Sequence, residues 1–489
     1  MAAPIVHAPT ELVPFREAFA RIRGEFRVPG AFPEPVDAEA AAVAGRGPVA
    51  PAGGVTTRLD ARDVPFVTID PLGSLDLDQA FHAEQRGAGF RVRYAIADVA
   101  AFVAPRGLLD LESFARGVTL YLPDGRAPML PDRLGEGAAS LLPNQDRPAL
   151  LWTIDLDESG ASTSARLERA TVRSRAALDY PSVQTALDTG RADEPLQLLR
   201  RIGTLRRGLE AARGGVSLDL PSQEVIATSA GGFELRYAAP LPAEGWNAQI
   251  SLLTGMEAAR LMIDAGVGIV RTVASPQPWQ IDRLRRTARA LHVEWPAGER
   301  WAAVVGGLDR ADPDSAAFLT QAAHLLRGAG YAKLDAANTQ NPADVPIHGG
   351  VAAPYAHVTA PLRRLADRYA NEIVLAHCAG IDPPEWACAV LDELVQTMEV
   401  AMHRDAGVEG AVVNAVECIV LASHVGERFD GVVVDRNQHG VVVQLRRPAI
   451  VAPMAAHAVL GESVEVTVVS VDVAARRIEL APATPTPTS

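Results

Sequence analysis

From Leu12 the apolar residues Leu12, Phe15, Phe19, Ile22 and Phe26 recur at spacings of three and four, which places them on one face of a helix. A second short helix is expected from about Asp37, an N-cap candidate ahead of an alanine-rich run. Residues 45–54, dense in Gly, Pro and Ala, read as a loop. The pattern then changes: residues 65–70 (PFVTID) are β-rich, residues 90–99 (FRVRYAIADV) alternate as a strand does, and residues 152–156 are a third strand candidate. Helical periods dominate residues 196–212, 249–265, 278–290, 314–326, 361–378 and 384–402. A last shift brings short strands at 427–435, 440–445, 450–453, 463–471 and 477–480, punctuated by Asn437, Gly440 and Gly461.

This succession predicts an α+β chain. A small, partly helical module over residues 1–60, compatible with a helix-turn-helix, precedes a large mixed domain over 61–418. A five-stranded OB-type β-barrel follows over 419–482, the kind of barrel that often binds oligonucleotides. The Pro/Thr-rich tail, 483–489, is expected to be disordered.

The length of 489 residues and the 48% hydrophobic content support a sizeable core. No apolar run approaches the roughly 18 residues that cross a bilayer, and residues 1–10 lack a secretory pattern. Cys378, Cys388 and Cys418 form no CxxC pair, so neither a disulfide framework nor a thiolate zinc site is expected, and a reducing cytoplasm fits. The net charge of −13 excludes a surface uniformly coated for nucleic acid. It leaves room for a basic channel, because affinity comes from local phosphate contacts. Lys333 is the only lysine, so that role would fall to arginine.

The densest chemistry lies at 68–81 (TIDPLGSLDLDQAF), where Asp70, Asp76, Asp78 and Gln79 fall beside apolar positions. Carboxylates crowded at a buried place repel one another and are costly to desolvate. A hard divalent cation resolves that conflict, and oxygen ligands are what Mg²⁺ prefers. A solvated acidic loop is the plain alternative. A calcium EF-hand loop begun at Asp70 is excluded, since Leu75 and Phe81 stand where Gly and Glu are needed.

The same string resembles the signature of the RNB (ribonuclease II) family, roughly T-I-D-x5-D-x-D-D-A. Further matches follow in order: Ala95–Val99 (AIADV), Tyr121-Leu122-Pro123 with Pro128-Met129-Leu130-Pro131, SLLPNQDRP at 140–148, and YAHVTAPLRR at 355–364 with Asp367 beyond it. The resemblance implies a processive 3′→5′ exoribonuclease acting on single-stranded RNA with Mg²⁺, Mn²⁺ being an acceptable substitute. It implies a monomer with no obligate protein partner and no membrane association. It also implies roles. Asp70, Asp76 and Asp78 would bind or organise the metal ions, with Gln79 at the fourth position and Asp78 the least replaceable. Arg363 would sit at the scissile phosphate and Arg364 at a neighbouring one. Tyr121 and Tyr180 would stack on terminal bases, and Glu409 would lie near the active-site nucleotides.

The chain departs from the pattern in places. Gln79 stands where the family has a fourth carboxylate, which predicts weaker metal binding. The segment F-T-S-P-I is Val358-Thr359-Ala360-Pro361-Leu362 here, and the E-E-x-M segment after Asn247 is replaced by Ala248-Gln249-Ile250-Ser251. Typical bacterial members open with two cold-shock barrels. Only about 60 residues precede the signature here, which predicts a wider entrance to the catalytic channel.

Overall fold

The computed structural model describes residues 5–228, 232–310, 312–341, 343–438, 440–448 and 450–483. The expected tail lies outside these residues beyond Ala483. At the centre is a six-stranded sheet built from Leu59–Asp60, Phe66–Asp70, Gln79–Arg86, Gly89–Ala97, Asp146–Leu156 and Ser162–Asp179. The 18-residue strand Ser162–Asp179 organises it. Its first part runs antiparallel to Asp146–Leu156, and its last six residues run parallel to Phe66–Asp70, so the sheet curls back on itself. Phe66, Phe81, Phe90, Tyr94 and Trp152 fill the enclosed core, each at most 1% exposed.

Helices Glu194–Arg213, Pro242–Ala265 and Leu365–Ala379 cover the sheet. Glu194–Arg213 is capped by Asp193, whose carboxylate accepts from Leu196 N, and stops at Gly214 in the left-handed conformation (φ 87°) that favours glycine. Beneath them lies a fully buried charge cluster, in which Arg169 donates to Asp98 (2.6 Å) and Glu372 (2.5 Å). Removing one member would strand the others in a low-dielectric core, which typically costs about 3–5 kcal/mol.

Several helix boundaries differ from the periodicity. The second helix spans Glu34–Arg46, starting before Asp37 because prolines are tolerated in a first turn. The stretch 361–378 is helical only over Leu365–Ala379, since Arg364 has an extended backbone (φ −139°, ψ 127°). The stretch 384–402 divides into Glu385–Cys388 and the 32-residue helix Leu391–Ala422.

That long helix packs against both the first helix and the barrel. Phe15, Ala18, Phe19 and Ile22 of the first helix, Val13–Glu25, join a core with Val408, Val412 and Val416 of the long helix and with barrel residues Val443 and Val466. The second helix instead buries Val36, Ala40 and Val43 in the core of the central sheet. The first 60 residues therefore contribute one helix to each of two cores. The strand Val6–His7 pairs in parallel with Ser222–Ala227, next to the antiparallel partner Phe233–Ala238.

The C-terminal barrel is closed and uses Arg428–Asn437, Gly440–Leu445, Val451–Met454, Ser463–Asp472 and Arg477–Pro482, with closure through the parallel pair Met454–Leu480. All five strands fall within two residues of where the alternation placed them. Among the described residues no helix is long and apolar enough to cross a membrane, and all three cysteines are free.

Candidate active site

The strand Phe66–Asp70 ends at Asp70, and the next strand begins at Gln79. The loop between them carries Asp76 and Asp78. Buried Ser140 clasps this loop, its hydroxyl accepting from Leu77 N (3.0 Å) and donating to Leu75 O (2.6 Å). Leu141 N donates to Leu77 O (3.0 Å), and Ala97 N to Asp78 O (2.9 Å). The SLLPNQDRP segment thus holds the acidic loop in place, a role its sequence did not disclose.

Asp78 is 1% exposed. Its Oδ1 accepts from Leu362 N (2.8 Å) and its Oδ2 from Arg363 Nε (3.1 Å). Burial outweighs this pairing and pushes the carboxyl up to about 8. Asp70 is likewise pushed up to about 6, by burial and by the charge of Asp76, and its buried Oδ2 has no hydrogen-bond partner. Asp76 accepts from the Tyr121 hydroxyl (2.8 Å) and has Arg126 at 3.5 Å. Gln79 donates through Nε2 to the carbonyl of Thr359, leaving its amide oxygen as the atom it could offer a cation.

Among the described residues no three His, Cys, Asp or Glu side chains converge into a complete metal cage. Mg²⁺ rarely uses one; it is commonly held by one or two carboxylates, several waters and substrate phosphates. The orphaned Asp70 oxygen beside Asp76 fits that mode.

Arg363 is 44% exposed, and beyond Asp78 no carboxylate pairs with it among the described residues. Arg364 is committed differently: Asp367 receives both its Nε (3.0 Å) and its Nη2 (2.9 Å), and also Ala360 N (2.7 Å). That arrangement holds the 358–364 turn more than it frees Arg364 for a ligand. Tyr121 is 48% exposed and lines, with Arg271, Arg363, Arg364, Asp405 and Glu409, a cleft of about 690 Å³. Tyr180 is half-buried at a helix start, its hydroxyl accepting from Asn247 Nδ2 (3.2 Å), while Asn247 also reaches Ile69 O (3.4 Å). Asn247 and Ser140 had no chemical signal of their own in the sequence, because each acts through a backbone brought near only by folding.

The RNB domain model matches residues 58–380, and the model of the RNase II-type exonuclease C-terminal S1 domain matches residues 427–483.

The chain belongs to the RNB family.

Ribonuclease R of Escherichia coli K12 is 28% identical over 446 residues, covering 86% of this chain and 53% of that protein. The chain thus spans about half the length of that curated relative. The apo form of Mycoplasma genitalium RNase R superposes with a TM-score of 0.80 at 18% identity, over 96% of this chain and 78% of the other. Yeast Ssd1, described as a pseudonuclease, superposes at 0.67 with 14% identity, over 83% of this chain and 52% of its own. These superpositions establish a shared RNB fold.

Proposed function

We propose that this chain hydrolyses single-stranded RNA processively from its 3′ end, releasing nucleoside 5′-monophosphates, with Mg²⁺ (or Mn²⁺) as cofactor. The observation that carries the reading is that the charge of Arg363, which lines the cleft together with Arg271 and Arg364, reaches each of Asp70, Asp76 and Asp78.

Asp78 holds the Arg363 guanidinium by its Nε and so orients the terminal nitrogens. A forked, permanently charged donor of that kind stabilises charge developing on a phosphate. Asp76 is held by Tyr121, whose exposed ring offers a face to a terminal base. Tyr180, tied to Asn247, lies on the Asp70 side as a second ring for the 3′ nucleotides. A divalent ion held by Asp70 and Asp76, with Asp78 and the Gln79 amide oxygen beside them, would supply an activated water and neutralise phosphate charge. Glu409, on the long helix, lines the same cleft beyond Arg364.

Gln79 favours one second reading, a catalytically retired RNA-binding protein on the same fold. A 5′-labelled RNA of about 30 nucleotides, incubated with Mg²⁺, separates the two, with Asp78→Asn and a matching DNA as controls. Direct shortening to a few-nucleotide product, of RNA alone and lost in the variant, supports the enzyme. Tight binding without shortening, in both proteins and with either metal, overturns it in favour of the second reading.

A further inference from the structure

Arg271 sits at the junction of two clefts and has no acid bound to it. It is 4% exposed, lies 4.8 Å from the Tyr331 ring centre and donates to Gly330 O (3.2 Å). No carboxylate lies within ion-pair distance of it among the described residues. Burial, and the neighbouring charge of Arg364, lower its proton affinity. Asp405 is the acid whose field reaches it, and burial pushes that carboxyl up to about 6. A buried cation without a counter-ion is expensive, so this one calls for an anion from outside.

The catalytic cleft continues away from Arg363 through shared walls. Arg271 and Glu409 line both it and a second cleft of about 420 Å³. His324 and Arg327 line both the second and a third, of about 280 Å³. The third runs between helix Pro278–Ala290 and the barrel, where Arg283 is paired with Asp435 (2.9 Å). Arg327 is exposed and forms no ion pair among the described residues. His324 is pushed down to about 4 by burial, Arg327 and Arg283, so it adds no charge at neutral pH and leaves the arginines to attract. Trp279 lines the far end and is 64% exposed. Among the described Phe, Tyr and Trp side chains, only Tyr121 and Trp279 stand exposed, one at each end of this groove.

We propose that the groove from Arg271 past Arg327 to Trp279 is the track of the RNA strand upstream of the scissile bond, with Trp279 a stacking platform at its mouth. Spaced cations ending on aromatic faces are what a flexible phosphate chain with unpaired bases recognises. The inference rests on the reading of the substrate as RNA, and it names the path that substrate takes.

The test uses the full chain with Trp279→Ala and Arg327→Ala, both at exposed positions where folding is not at stake. Binding of an about 30-nucleotide RNA is measured without divalent ions on the Asp78→Asn background, against salt concentration. Trp279→Ala should weaken it about 5- to 150-fold, one base stack. Arg327→Ala should reduce the slope of log affinity against log salt by about 0.7, one single-strand phosphate contact. The same substitutions in wild type should lower turnover of the about 30-nucleotide RNA more than turnover of one of about five nucleotides, whose contacts end before the groove's mouth. Unchanged affinity and unchanged salt slope for the long RNA would overturn the track. Weakened binding in a protein that never shortens RNA would leave the track standing and remove the exonuclease reading instead.

Discussion

Asp78 and Arg363, 285 positions apart in the chain, meet through a 3.1 Å contact between Oδ2 and Nε, while Leu362 N holds the other carboxylate oxygen at 2.8 Å. One acidic residue therefore fixes both the arginine and the turn that carries it. Arg363→Lys keeps the charge but loses the Nε donor and the fork. Turnover of single-stranded RNA is expected to fall by about 10²–10³. Affinity, read by filter binding without divalent ions, should change by less than about tenfold, because the phosphate still meets a cation. Equal losses in both would mean that Arg363 only binds.

Gln79 offers a more revealing substitution than the family pattern alone implies. Restoring a carboxylate with Gln79→Asp removes the donor to the Thr359 carbonyl and sets a negative charge near that oxygen. Without divalent ions the variant should lose about 1–3 kcal/mol of stability. With Mg²⁺ it should recover more melting temperature than wild type does, because the added charge strengthens the cation site. Calorimetry at matched Mg²⁺ concentrations checks this. An identical Mg²⁺ shift in both proteins would detach position 79 from the metal.

Tyr121 combines two functions that two substitutions separate. Tyr121→Phe keeps the ring and removes the hydroxyl bound to Asp76. RNA affinity should stay within about twofold, since the stacking face is intact, while the Mg²⁺ concentration for half-maximal rate shifts. Tyr121→Ala removes the face as well and should weaken binding of short RNA about 5- to 150-fold. A Phe variant as weak as the Ala variant would place the hydroxyl, not the ring, against the RNA.

Glu417 links stability to pH away from the catalytic cleft. It is 8% exposed on the long helix, and burial pushes its carboxyl up to about 8, with Gln223 hydrogen-bonded to it. A carboxyl raised in the folded state holds its proton more tightly there than when unfolded. Its contribution is therefore intact below about pH 4 and is lost as pH rises through about 8. Glu417→Gln keeps a partner for Gln223 and removes the titration. Its melting temperature should exceed wild type by about 4 °C or more at pH 9, with little difference at pH 5. A constant offset at both pH values would show that the carboxyl does not titrate in the folded range.

The sequence by itself determined what depends on neighbours along the chain. Alternation set the barrel strands, with Gly440–Leu445 found where it was expected and the others within a few residues. Three- and four-residue spacing set the helices Val13–Glu25 and Pro278–Ala290. The close-set order of Asp70, Asp76, Asp78 and Gln79 marked the candidate site, since charged groups beside apolar positions must be compensated. What only the tertiary structure decided involves partners far apart in sequence. Ser140 clasping the acidic loop, Asp78 holding Arg363, and Asn247 bridging Ile69 to Tyr180 are hydrogen bonds across long separations, and no local pattern encodes them. The division of the first 60 residues between two cores has the same origin. An amphipathic helix states which face it must bury, but the surface that buries it exists only once the long helix and the central sheet have packed.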